Sequence, residues 1–144
     1  MTIPIKNKDG IAKMREACAV AATVLEQLKA LVQPGVTTQD LEEAGRDLIA
    51  RLGARSACYG YQHGSRRYPA HTCISVNDEV VHGLANEREL KFGDIISVDV
   101  GVRYNGFIGD NARTVAVGGC GVLAQQLMDV TEQSLYEGIA QAVA

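Results

Sequence analysis

The sequence predicts an α+β fold in which an antiparallel β-hairpin sheet is covered by helices. Two amphipathic segments open the chain, because apolar residues recur at three- and four-residue steps over positions 8–32 and 38–52. Further along, Asn105-Gly106 separates two β-rich runs. This dipeptide is a strong hairpin signal, since both central residues of a tight hairpin turn need positive φ.

The first predicted helix runs from about Lys8 to Val32 and stops at Pro34-Gly35. The second follows a capping box at positions 37–40 and ends near Gly53. The residues expected to face the core share the helical period: Ile11, Met14, Cys18, Ala21, Ala22, Leu25, Leu28 and Val32, then Leu41, Ala44, Leu48, Ile49 and Leu52. Charged residues of the second helix, Glu42 among them, are expected on its solvated side.

Between the second helix and the hairpin, positions 57–69 have the composition of a surface loop, and 73–76 reads as a strand. A turn at Asn77-Asp78 precedes a short extended run over 79–83. After the hairpin, a third helix is predicted from Leu123 to Ala144. It carries no stop signal, so we expect the natural polypeptide to be longer.

The composition of the chain limits the classes of function that it can have. A chain of 144 residues suits one domain, and its net charge of −3 argues against nucleic acid as a main partner. No apolar run is long enough to span a membrane, so we expect a cytoplasmic protein. The four cysteines form no CxxC pair and are expected to be reduced.

Two aspartates flank the hairpin turn. If Asn105-Gly106 is a two-residue loop, Gly101 lies opposite Asp110, and Asp99 lies on the same face of the ribbon as Asp110. The carboxylates are then diagonal neighbours, roughly 7–8 Å apart at the backbone. Carboxylates held so close repel each other unless a cation lies between them, and oxygen ligands suit a hard or borderline divalent metal.

The alternative is that both aspartates are simply solvated, as acids on exposed hairpins usually are. Asp99, however, lies inside an apolar run, positions 95–102, which indicates a buried strand. A buried acid is normally paired, hydrogen-bonded or metal-bound. The pattern therefore favours a metal site.

Three segments together resemble the type I methionine aminopeptidases: 73–83 (CISVNDEVVHG), 93–100 (GDIISVDV) and 109–110 (GD). The likeness extends from the first helix to Tyr136. It implies a "pita-bread" α/β fold built from two similar halves. It also implies removal of the N-terminal methionine from nascent proteins by a centre of two divalent metal ions, Co, Mn, Fe or Zn.

The resemblance also implies roles for individual residues. Asp99 would hold one metal and Asp110 would bridge both. His82 would be a catalytic residue that contacts the substrate and the developing tetrahedral species. The pocket for the methionine side chain would be lined by a group of cysteines and tyrosines: Cys58, Tyr61, Tyr68 and Cys73.

In the family, the remaining metal ligands, a histidine and two glutamates, lie in a second half. We therefore expect residues 1–144 to be the N-terminal half of the domain, inactive alone and a weak metal binder. The implied partners are nascent peptides beginning with methionine, with the ribosome as a candidate. Neither a membrane nor nucleic acid is expected, and the complete enzyme would be a monomer.

The chain departs from the family pattern around the bridging position, where Ile108 and Asn111 replace a histidine and a threonine. Asn111 could hydrogen-bond a carboxylate. The loop over 62–67 is also longer than usual for the family, adding Ser65-Arg66-Arg67 near the pocket mouth.

Two other functions stay open, a related pita-bread hydrolase of Xaa-Pro bonds and a metal-free adaptor of the same fold. Single residues also have simpler explanations. His82 could be a core histidine, the tyrosines could be loop anchors, and Cys73 could be a small buried apolar residue.

Overall fold

The computed structural model describes residues 3–142, apart from the side chain of His63. The three predicted helices, the strand over 73–76 and the hairpin occur in the predicted order. The short strands over 55–56, 62–63 and 66–67 were not predicted, and the last two lie in the segment expected to be a loop. The helices are α1 (Lys8–Leu31), α2 (Thr38–Arg51) and α3 (Val122–Gln141). The strands are β1 (Arg55–Ser56), β2 (Gln62–His63), β3 (Arg66–Arg67), β4 (Cys73–Val76), β5 (Ile95–Tyr104) and β6 (Phe107–Ala116).

The main sheet is built around β5. Strand β6 pairs antiparallel with its whole length, and β4 and β1 pair antiparallel with different parts of its other edge. Strands β2 and β3 form a separate two-stranded ribbon. The predicted antiparallel hairpin sheet is thus confirmed.

The hairpin has the predicted register. Asn105 and Gly106 form its two-residue turn with φ of 48° and 82°, the left-handed values that a type I′ turn requires. Tyr104 pairs with Phe107, and Gly101 pairs with Asp110. Because the turn fixes the register, the Asn105-Gly106 dipeptide determines which face of the sheet each residue of β6 occupies.

Alternation along β5 gives the sheet two different faces. The residues at even positions are fully buried and form the core with α1 and α2: Ile96, Val98, Val100 and Val102. The residues at odd positions, including Ser97 and Asp99, point to the opposite face, where they are only partly covered. One face of the sheet therefore holds the fold together, and the other is available for function.

Helix α1 packs against the sheet through a face of small residues. Ala17 and Ala21 are completely buried, whereas Ile11 is 44% exposed and Cys18 and Ala22 are exposed, so the predicted inward orientation of those three was wrong. The reason is close contact with β6. A Cβ added to Gly109 would lie 2.2 Å from the Ala17 carbonyl oxygen, so larger side chains could not occupy this contact.

Helix α3 has no buried residue in the described part of the chain. Leu127 and Leu135 are each 60% exposed. An ion pair of 2.6 Å between Arg113 and Glu132 links the helix to β6. The last two positions of the predicted helix lie outside the described residues. None of the helices within residues 3–142 is long and apolar enough to cross a bilayer.

The segment predicted as extended, positions 79–83, is not a strand. Val81 and His82 have φ of 38° and 51°. A β-branched residue such as valine rarely adopts this conformation, so the segment is backbone held under strain. Strain of this kind persists only where surrounding contacts fix the chain.

Candidate functional site

Asp99 and Asp110 lie on the same face of the β5–β6 hairpin, as predicted. Gly101, which pairs with Asp110, leaves the space between them open. A Cβ added to Gly101 would lie 3.9 Å from Asp110 Oδ2, so the carboxylate of Asp110 reaches over the glycine. Asp99 is partly buried and Asp110 is exposed.

The charge of Asp110 disfavours ionisation of Asp99. Burial raises the pKa of Asp99 above its ordinary value, the negative charge of Asp110 raises it further, and His82 acts in the opposite direction. The ionised form of Asp99 is thus only partly compensated by the residues around it. A cation between the carboxylates would complete that compensation.

His82 is held beside this pair by a network on its neighbour Gly83. The Gly83 N–H donates to Ser75 Oγ at 3.1 Å, and its carbonyl accepts from the Ile74 N–H at 3.0 Å. The same carbonyl accepts from the Tyr68 hydroxyl at 3.0 Å, and the Tyr68 ring meets the His82 ring edge to face, 6.5 Å between centroids. These contacts fix the strained backbone next to His82.

Cys58 and Cys73 lie on the same side of the sheet as the aspartates. Cys73 pairs with Asp99 across β4 and β5, and a Cβ on Gly101 would lie 3.3 Å from Cys58 Sγ. Interaction with the Cys73 thiol lowers the pKa of Cys58. The same interaction, together with burial, raises the pKa of Cys73.

The two tyrosines predicted to line a pocket differ in their surroundings. Tyr68 is partly buried between β4 and the His82 segment, and burial raises the pKa of its hydroxyl. The Tyr68 N–H also donates to the Tyr61 carbonyl at 2.9 Å. The Tyr61 ring is 66% exposed, so only its backbone is anchored here, and its role as a pocket residue stays a prediction.

Asn111 was predicted to be able to hydrogen-bond a carboxylate, and this prediction was wrong because of the direction in which its side chain points. Asn111 pairs with Val100, so its side chain points to the helix-covered face, away from Asp110. Its Oδ1 is buried and has no hydrogen-bond partner within residues 3–142. Ile108 lies on the same face as Asp110 and is 48% exposed, which places an apolar side chain beside the acidic pair.

Sequence reasoning missed Glu42, which was expected on the solvated side of α2. Glu42 is only 8% exposed. Its carboxylate accepts from the backbone N–H groups of His71 and Thr72, the second at 3.0 Å, and from the Thr72 hydroxyl. Glu42 therefore fixes the segment that leads directly into Cys73 and β4. Its position in an amphipathic helix gave no signal of these partners thirty residues away.

We expect Glu42→Ala to destabilise the chain by roughly 2–4 kcal/mol, because it leaves two buried backbone N–H groups without an acceptor. Urea unfolding followed by circular dichroism measures the change. The matched control is Glu43→Ala, since Glu43 is the exposed neighbour on the same helix. Equal stability of the two variants would contradict this role for Glu42.

The residues fit a divalent cation in the chemistry of their donors, since two carboxylates lie on one face of the hairpin. They do not complete a metal site. Among the described side chains, no group of three or more histidine, cysteine, aspartate or glutamate residues could hold an ion together.

Two carboxylates beside a histidine are the kind of donors that metallohydrolases use. Comparison with known proteins agrees. Residues 12–144 match the model of metallopeptidase family M24, and the chain belongs to that family.

The individual relatives are named for a narrower activity than the family as a whole. The methionine aminopeptidase of Aquifex aeolicus is 42% identical over 146 aligned residues, which cover 99% of this chain and 57% of the relative. The crystal structure of methionine aminopeptidase from Thermotoga maritima superposes with a TM-score of 0.91 at 37% identity, over 97% of this chain and 55% of that one. The chain thus spans little more than half the length of these relatives.

A more distant neighbour defines the fold alone. Prolidase from Pyrococcus furiosus superposes with a TM-score of 0.75 at 21% identity, over 90% of this chain and 36% of that one. The predicted pita-bread fold is confirmed by this group of structures.

Proposed function

We propose that this chain carries part of the active site of a methionine aminopeptidase, which removes the N-terminal methionine from nascent polypeptides in the cytoplasm. The observation that carries the proposal is that Asp99 and Asp110 lie on one face of the hairpin, with Gly101 opposite Asp110, in a chain 42% identical to a methionine aminopeptidase over nearly its whole length. The family supports metal-dependent hydrolysis, and the relatives support the choice of methionine.

In this proposal Asp99 and Asp110 would hold the divalent ions. Such ions would supply the activation of water and the polarisation of the scissile carbonyl. His82, fixed through Gly83 and Tyr68, donates a hydrogen bond to the oxygen on which negative charge develops. His82 therefore acts by stabilising charge and needs no metal contact.

The substrate side chain would pack on the wall formed by Cys58, Cys73 and Tyr68. A thioether is polarizable and makes favourable contacts with sulfur and aromatic rings. The Tyr68 hydroxyl is engaged by the Thr72 and Gly83 carbonyls, which leaves its ring as the contact surface. Tyr61 would be a further contact at the mouth.

Two carboxylates do not define a tight metal site, since each ion needs more protein ligands. We propose that the remaining donors lie outside these 144 residues, which then form the N-terminal half of the domain. The 144-residue chain alone would bind metal weakly and have no useful activity.

Aminopeptidase assays with a Met-Ala-Ser peptide and added Co²⁺ or Mn²⁺ test both statements. We expect no robust turnover by the 144-residue chain, and metal-dependent release of methionine by a full-length protein that supplies the other ligands. His82→Ala in that protein should lower kcat by about 10²–10³ because a donor to the oxyanion is lost. Robust turnover by the short chain, or full activity of the variant, would contradict the proposal.

The alternatives receive less support. The Xaa-Pro hydrolases compared here share the fold at low identity, and the high-identity relatives are methionine aminopeptidases. A panel of Met-Ala and Ala-Pro peptides separates the two activities. A metal-free adaptor would have no reason to keep the only partly compensated charge of Asp99 next to Asp110.

A further inference from the structure

Cys58 and Cys73 are distant in sequence and adjacent in space. Cys73 is the first residue of β4 and pairs with Asp99. Cys58 follows the end of β1, where the Ala57 N–H donates to the Gly101 carbonyl at 2.9 Å. The two cysteines thus meet along one edge of β5.

Both side chains lie on the same side of the sheet. The Cys58 sulfur lies over Gly101, and Cys73 lies opposite Asp99, two residues along β5. Access differs, since Cys58 is partly exposed and Cys73 is only 5% exposed. A reagent in solvent therefore reacts with Cys58 first, and the more buried Cys73 is its neighbouring thiol.

We infer that Cys58 and Cys73 form an oxidisable dithiol, which hydrogen peroxide closes to an intramolecular disulfide. The deprotonated Cys58 sulfur attacks peroxide, so that an S–O bond forms, the O–O bond breaks and hydroxide leaves. The Cys73 sulfur then displaces the sulfenic oxygen as water, forming the S–S bond. Overall, two thiols lose two hydrogens, and one peroxide is reduced to two waters.

The disulfide would alter the wall beside the acidic pair. Cys58 Sγ and Asp110 Oδ2 both lie over Gly101, so movement of the sulfur changes the space next to that carboxylate. Exposed or strained disulfides are generally the reversible, regulatory ones. The inference rests on the positions of the cysteines alone and holds whether or not the proposed function does.

The test uses the chain with Cys18→Ser and Cys120→Ser, so that only the pair can react. Graded hydrogen peroxide should remove both titratable thiols together. Intact mass should show the loss of two hydrogens in a monomer, peptide mapping should link positions 58 and 73, and dithiothreitol should restore both thiols. Cys58→Ser in the same background is the control and should give no such product.

Oxidation of Cys58 to a sulfinic acid while Cys73 keeps its thiol would overturn the inference, as would disulfide-linked dimers only. Phenylarsine oxide provides a second measurement that does not depend on the control variant folding. It condenses with two neighbouring thiols and releases water, so one equivalent should block both sulfurs. A requirement for two equivalents would show that the sulfurs do not act as a pair.

Discussion

Asp110→Asn is expected to weaken Mn²⁺ binding by the full-length protein on the order of 100-fold or more, because the variant removes a charged ligand that this account places between two ions. Asp99→Asn should have a large effect as well. Isothermal titration of the metal-free proteins with Mn²⁺ measures both. Asp47→Asn is the matched control, since Asp47 is an exposed aspartate on α2.

The pH dependence of binding follows from Asp99. Burial and Asp110 raise the pKa of Asp99, so protons compete with metal at a higher pH than they would at an ordinary aspartate. Mn²⁺ affinity should therefore fall as the pH drops through this raised pKa. Equal affinity of wild type and Asp110→Asn would favour a metal-free adaptor.

Gly109→Ala is expected to destabilise the chain by about 3 kcal/mol, which lowers Tm by roughly 10 °C. The added Cβ would lie 2.2 Å from the Ala17 carbonyl oxygen and 2.7 Å from the Cys18 nitrogen. Both atoms are helix backbone, so the contact is relieved only if α1 moves away from β6. That movement would separate α1 from the buried valines of β5.

Thermal unfolding followed by circular dichroism measures this loss. Gly138→Ala is the control, because a Cβ at Gly138 meets nothing within 4 Å and alanine favours a helix by up to about 1 kcal/mol. An unchanged Tm for Gly109→Ala would show that α1 and β6 are not in the close contact described here.

The hairpin could be predicted down to single residue pairs because its information is local. Asn105-Gly106 selects the turn, the turn sets the register, and alternation then places Asp99 and Asp110 on one face. The capping box at Thr37 and Asp40 was predictable for the same reason. Alternation also assigns Asn111 to the helix side, so its position could have been predicted.

The structural features that could not be predicted from the sequence depend on contacts between distant segments. Glu42 has the spacing of a solvated helix residue, and its partners come from the turn before β4. The close contact of Gly109 with Ala17 shifts the buried face of α1 toward small residues, which carry little periodic signal. The adjacency of Cys58 and Cys73 likewise results from β1 and β4 sharing one edge of β5.

The most direct test of the metal site is the anomalous scattering of manganese in crystals of the full-length protein grown with Mn²⁺. We expect anomalous peaks within coordination distance of both Asp99 and Asp110, over Gly101. Peaks only at other carboxylates, or side chains of Asp99 and Asp110 engaged by arginines with no metal between them, would contradict it.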